Sequence, residues 1–451
     1  MPVCDPLETK MSSFSGPSMM NSDAAATEFG HQIRRVTLEK QSEIRIQVHP
    51  FSPLKLRVLD GLVEIFGSEL PPEVWLTFPP RQQFAVFTWY GATIELDGVT
   101  ETEETSTETP MVSYLNVHNS LQVQRHRVVS STSNYVSSQW PRVIIVGDTD
   151  SGKSTLAKML LNWAAKDGFK PTFVDLNIGQ SSITIPGTIA ATSIKMHVDS
   201  VHGFPLDNAI VHYFGHTTPT NNLRLYKALV EKLARELEEV FARSAESRHS
   251  GMVIDTMGWT NGPGYELLIH AIRKFNASLV IVLGQETDLV NDLNNSLKFK
   301  KNVRILNLDK STGVFFRGSD YRKTLRNNNI KKYFHGATND LTAYTKTAKF
   351  SDVKVYRIGD FPESRSRSAQ RTYNDDALKI TSVEIGEHLL NKVLAISYAK
   401  EPNQIISSIV AGFVCIKDVD IGKERITYIS PSAAEFPSNI LVMGTLTWLE
   451  T

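Results

Sequence analysis

Gly147-Asp-Thr-Asp-Ser-Gly-Lys-Ser154 matches G-x-x-x-x-G-K-[ST] without a gap, a spacing suited to holding phosphates. Gly147 and Gly152 allow the backbone around Asp150 and Ser151 to wrap an anion with successive N–H groups pointing inward. Lys153 supplies a cation near the β- and γ-phosphates, and the Ser154 hydroxyl can ligate Mg²⁺. Thr155 and the N-terminus of a helix running from Lys153 add positive partial charge. A glycine-rich turn that merely contains a lysine is the bland alternative. The setting argues against it, because the apolar run Val143–Val146 precedes the loop and the helix-forming run Leu156–Ala165 follows. A nucleoside triphosphate and Mg²⁺ are the implied ligands.

The elements that must position this loop show in the hydrophobic pattern. Residues 1–35 carry no periodicity and read as a disordered tail. Short strands punctuated by Gly61, Gly67, Gly91 and Gly98 predict an all-β domain over 36–113. A polar stretch ending in Ser130–Ser138 reads as a surface loop or insertion. Strands at Pro171–Asp175, Gly251–Asp255 and Leu279–Leu283 then alternate with helices, the clearest being an amphipathic helix from Leu223 to about Arg243. That alternation predicts a parallel α/β sheet flanked by helices, of P-loop NTPase type, over 114–345. Short strands return over 346–451 with a helix near Glu387–Val393, a small C-terminal α/β domain.

Composition excludes little but narrows the setting. The 48 basic and 48 acidic residues cancel, so any nucleic-acid site must be local. The strongest basic bias runs from Asn295 to His335, with eleven Lys/Arg against Asp309 and Asp320. With two cysteines, Cys4 and Cys415, a disulfide framework is not expected, which fits a reducing compartment. No run of about 18 apolar residues suggests a membrane span, and no membrane partner is expected.

Beyond the loop, a series of stretches resembles the eukaryotic polyribonucleotide 5′-hydroxyl-kinase family, subunits of the pre-mRNA cleavage and polyadenylation machinery, and is most similar to plant members. They are Gly61–Gly67, Phe87–Trp89, Tyr114–His118, Ile185–Gly187, Phe214–Pro219, Asp255–Trp259, Phe315–Gly336 and Phe350–Lys354, in order over about nine-tenths of the chain. The resemblance implies a β-sandwich N-domain, a central kinase domain and a small C-terminal domain. It also implies roles by position. Thr218 and Asn222 would clasp an RNA backbone, and Trp259 would stack on the terminal base. Arg317 and Arg322 would cover the transferring phosphoryl group. Gln180 would lie near Mg²⁺ and the attacking hydroxyl, and Glu43 near the nucleotide base. Taken alone, Trp259 would read as core filler, the arginines as a solvated face and Thr218-Pro219 as a turn.

The chain departs from that family at three positions. Asn177 stands where the family has its catalytic Asp, Asp148 where it commonly has Pro, and Gln83 where it has a basic nucleotide contact. Asn cannot accept the proton of a 5′-hydroxyl at neutral pH. Asp175 would face the same side two residues back, about 6–7 Å away. The resulting reading is an ATP-binding subunit of the mRNA 3′-end machinery whose nucleotide is structural. It is nuclear by resemblance, with other cleavage factor II or polyadenylation subunits and RNA as partners. An active RNA 5′-hydroxyl kinase is the alternative. A P-loop GTPase is a third, disfavoured because no N/T-K-x-D signature is present.

Overall fold

Alternating apolar residues build the N-terminal region, in a computed structural model that describes residues 33–130, 140–300, 302–337, 339–359 and 377–450. Its strands β1–β9 are Ile33–Leu38, Ser42–Val48, Leu54–Gly61, Glu64–Ile65, Ser68–Glu69, Leu76–Phe78, Gln83–Thr88, Ala92–Asp97 and Thr100–Ser106. They form two facing sheets, ordered β1-β8-β3-β6 and β5-β4-β7-β2-β9. Ile44 pairs with Val86 and Ile46 with Phe84, and these side chains bury in the core between the sheets. The disordered tail expected over 1–35 lies outside the described residues except at 33–35, where β1 already begins.

The stretch expected as a polar loop is instead a helix as far as residue 130, α1 (Met111–Ser130). Met111, Tyr114, Val117, Leu121 and Val128 recur at steps that keep one face inward. Buried His118, Gln122 and Arg125 interrupt that stripe and hide it from a pattern reading. His118 Nε2 lies 2.9 Å from Asp167 Oδ2, and Arg125 Nε donates to the Ser250 carbonyl at 3.0 Å. The serine run at 131–139 lies outside the described residues.

The central sheet comprises β10–β16 (Arg142–Val146, Thr172–Asp175, Thr188–Ser193, Ile210–Tyr213, Met252–Asp255, Leu279–Leu283, Arg304–Leu308). Their order is β13-β12-β11-β14-β10-β15-β16. All run in one direction except β12, which is antiparallel to both neighbours. The helices are α2 (Lys153–Lys166), α3 (Leu223–Arg243), α4 (Ala245–Ser250), α5 (Gly262–Lys274), α6 (Thr287–Leu297) and α7 (Ser319–His335). Near-continuous burial of β10, β11, β14 and β15 follows from having helices on both faces.

The C-terminal sheet, β17–β23 (Tyr344–Lys349, Lys354–Ile358, Ile380–Val383, Lys392–Ser397, Val410–Asp420, Arg425–Ser430, Ile440–Thr447), is ordered β17-β22-β21-β20-β23-β18-β19. Among the described residues this part holds only 3₁₀ turns besides strands, so the mixed α/β character comes from the centre of the chain. The helix expected near Glu387–Val393 is one such turn, Glu387–Leu389. Asn391 at φ 60° ends it before β20. This sheet is locked to the centre at Gly215, where Thr445 N–H donates to its carbonyl at 2.8 Å. A Cβ on Gly444 would lie 2.1 Å from that same oxygen. Among the described residues no helix is long and apolar enough to cross a membrane.

Candidate functional site

The phosphate loop joins β10 to α2, at the C-terminal edge of the parallel strands where open α/β sheets bind ligands. Gly147 must be glycine: its φ is 145°, and a Cβ there would sit 2.6 Å from the Leu283 carbonyl oxygen. Lys153 folds back over the loop, donating to the carbonyl of Gly147 at 2.9 Å and to that of Asp148. Burial lowers the Lys153 ammonium from its ordinary value, opposed by the carboxylates of Asp255, Glu286, Asp148 and Asp150.

The loop is braced from two sides. Thr149 Oγ1 donates to the Gly258 carbonyl at 3.1 Å, and Thr260 Oγ1 donates to Asp148 Oδ1 at 2.7 Å. Asp148 N–H donates to Glu286 Oε1 at 2.6 Å. Asp148 thus supplies both an N–H and a carboxylate to this bracing.

A cavity of about 680 Å³ opens over the loop, within the size range of small-molecule sites. One wall carries Asp150, Ser151, Gly152, Lys153, Ser154 and Thr155. The N-terminal sandwich contributes Glu43 and Gln83, so the cavity lies between that sandwich and the central sheet. Asn177, Gln180, Thr218 and Trp259 also line it, and so do Arg317 and Arg322 from a covering segment that runs from Asp309 into the first turn of α7. Gly147 and Asn222 stand apart from this lining. The Asn222 side chain caps α3, accepting from Leu225 N–H at 2.9 Å and donating to the Ala377 carbonyl at 2.6 Å. Thr218 Oγ1 lies 2.9 Å from Thr220 Oγ1 at the start of a 3₁₀ turn.

Trp259 is half-buried, and its ring lies against Gly264, where a Cβ would come within 2.3 Å of the indole. Glu43 is buried, with Oε1 accepting from Arg45 Nε at 2.7 Å and Oε2 from Thr109 Oγ1 at 3.1 Å. The Gln83 amide oxygen accepts from Arg317 Nη2 at 3.1 Å. A basic residue there would repel that arginine.

Asn177 turns its amide oxygen to the Gln180 N–H at 3.2 Å, closing the bend after β11. Asp175, two residues earlier, is fully buried. Its Oδ1 accepts from Asn177 N–H at 2.9 Å, and its Oδ2 from Ser182 N–H at 2.6 Å and Ser181 Oγ at 3.2 Å. Burial first, and then the charge of Asp255, push its carboxyl up to about 7. It brackets the bend and does not face the cavity.

Residues that sequence reasoning passed over complete the site. Asp255 ends β14, level with Asp175 in the adjacent parallel strand. Its Oδ2 accepts the Ser154 hydroxyl, and its Oδ1 is buried with no hydrogen-bond partner in the described residues. An orphaned carboxylate oxygen beside a phosphate-loop hydroxyl fits a divalent cation: Ser154 and Asp255 would hold it. The signal was available as an acid closing the apolar run Met252–Asp255. Arg45 and Tyr114 hold the root of the covering segment, through Thr312 Oγ1 at 2.8 Å and the Asp309 carbonyl at 3.1 Å. Arg326 joins Arg45, Arg317 and Arg322 in the lining.

Three family profiles match the chain in order. These are an N-terminal beta-sandwich domain of polyadenylation factor over residues 37–128, an mRNA cleavage and polyadenylation factor CLP1 P-loop over 147–336, and a pre-mRNA cleavage complex II protein Clp1 over 341–450. An Arabidopsis thaliana relative called Protein CLP1 homolog 5 is 73% identical over 93% of this chain and 99% of its own. A Homo sapiens relative called Polyribonucleotide 5′-hydroxyl-kinase Clp1 is 36% identical over 92% of this chain and 96% of its own. A solved structure of a Clp1p–Pcf11p complex shares the fold, with a TM-score of 0.79 at 22% identity over 94% of this chain and all of that one.

Proposed function

Because the chain belongs to the pre-mRNA cleavage complex II Clp1 family, we propose that it is an ATP-binding subunit of the mRNA 3′-end machinery whose nucleotide serves structure. One observation carries this reading. The phosphate-holding set Lys153, Ser154 and Asp255 is intact, whereas position 177 offers only an amide already used to close a bend. Mg²⁺ held by Ser154 and Asp255 would offset phosphate charge. A nucleotide filling the cavity would touch Glu43 and Gln83 on one side and the phosphate loop on the other. It would therefore tie the sandwich to the central sheet and stabilise the folded chain by mass action.

The partner implied is a second subunit of cleavage factor II, as in the complex of the related fold with Pcf11p, and a role in pre-mRNA cleavage implies the nucleus as the compartment. The experiment is to purify the wild type and Lys153→Ala and measure retained ATP and the melting temperature. Retained ATP in the wild type and a lowered melting temperature in the variant are expected. Equal stability of the two would overturn the structural role.

A second reading, an active 5′-hydroxyl kinase on RNA, is favoured by Arg317, Arg322 and Arg326 converging on one cavity with Gln180 and Trp259. Charge stabilisation and positioning carry most of phosphoryl transfer. Label transfer from γ-labelled ATP to a 5′-hydroxyl RNA by the wild type would establish it.

A further inference from the structure

Asp150 occupies the fourth position of the phosphate loop with φ 59°, in the left-handed region. Its Oδ2 accepts twice from the covering segment: from the Arg317 backbone N–H at 2.9 Å, and from the Arg322 guanidinium in an ion pair. The pair is well shielded, with side-chain exposures of 25% for Arg322 and 12% for Asp150. The two arginines are therefore held differently. The Arg317 guanidinium rests on the neutral amide oxygen of Gln83, but Arg322 is neutralised by a full carboxylate that belongs to the phosphate loop itself.

A carboxylate presents a guanidinium with much the same planar pair of oxygens as a phosphate does. We propose that Asp150 is a specificity-determining residue that holds Arg322 in competition with the terminal phosphate of a nucleoside triphosphate. The Asp150–Arg322 pair is then a latch that a third phosphate opens and a diphosphate leaves closed. This rests on the nucleotide-site reading above. Opening the latch costs the triphosphate part of its binding free energy, because only the fraction of molecules with Arg322 released makes the full contact. Asp150 in this way couples the position of the covering segment to the number of phosphates bound.

The test is the affinity of ATP and of ADP, each with Mg²⁺, by titration calorimetry for the wild type, Asp150→Asn, Arg322→Gln and the double variant. Asn tolerates the left-handed backbone and still accepts the Arg317 N–H, so Asp150→Asn removes the charge and spares the loop. Asp150→Asn is expected to tighten ATP about tenfold while ADP stays within about twofold, as loss of one charge-assisted bond would give. In the Arg322→Gln background the ATP-specific gain should vanish, since the coupling is between these two side chains. An equal gain for ATP and ADP would overturn the latch in favour of simple charge removal. Weaker ATP binding in Asp150→Asn would overturn it too, because Asp150 would then be positioning Arg322 for the phosphate. If the wild type binds neither nucleotide, the nucleotide-site reading falls and takes the latch with it.

Discussion

The Ser154 hydroxyl donates to Oδ2 of Asp255, 101 residues away in sequence, and leaves Oδ1 of that carboxylate buried without a hydrogen-bond partner in the described residues. Burial raises the carboxyl from its ordinary range, opposed by the Ser154 hydroxyl and the Lys153 charge. A divalent cation reaching Oδ1 would relieve that cost. Asp255→Asn is therefore expected to weaken ATP binding about 10- to 100-fold in Mg²⁺. The same titration in EDTA should show little change, and an equal loss under both conditions would show that Asp255 serves only the fold.

Asn177→Asp puts a carboxylate at the head of the bend after β11. The new side chain still offers an oxygen to the Gln180 N–H, so the bend should survive. Transfer from γ-labelled ATP to 5′-hydroxyl RNA is expected to rise about 10²- to 10⁴-fold, the usual worth of a general base. If transfer does not change, the site lacks more than a base.

Gly264 bears directly on Trp259. A methyl group at 264 would come within 2.3 Å of the indole and push the ring from its seat. Gly264→Ala should weaken binding of a 5′-hydroxyl oligonucleotide by about tenfold, comparable with losing one base stack. ATP affinity should hold, and fluorescence anisotropy with labelled RNA beside ATP titration separates the two. RNA binding unchanged in both Gly264→Ala and Trp259→Ala would remove Trp259 from the RNA surface.

Glu64 lies where the sandwich meets α2. Its Oε2 accepts from Trp163 Nε1 at 3.3 Å, and its Oε1 is buried without a partner in the described residues. Burial, opposed by the Trp163 N–H and the Lys166 charge, pushes the carboxyl up to about 7. The folded chain thus binds more protons than the unfolded chain between the ordinary carboxyl value of 4.5 and about 7, and stability falls as pH rises through that window. Glu64→Gln removes the charge. Its gain in unfolding free energy over the wild type, measured by denaturant titration, should be larger near pH 8 than near pH 5, by an amount on the order of 2 kcal/mol. An equal difference at both pH values would mean that Glu64 is not the titrating group.

The sequence by itself determined the features that local spacing encodes. The phosphate loop needs only eight consecutive residues, and the amphipathic period that marks Leu223–Arg243 lies within one helix. The ordered stretches that mark the family are also local. α1 escaped because its inward face includes His118, Gln122 and Arg125, polar groups that become buriable only when Asp167 and Ser250 arrive to bond the network. Tertiary structure alone decided which distant groups meet. It brought Asp255 to Ser154, set Arg322 on Asp150 across 172 residues, and spent Asn222 on capping α3. Direction is the physical reason. Residue type fixes what a side chain can bond, but the backbone around it fixes where it points, and a carboxylate acts on whatever lies within about 3 Å of its oxygens.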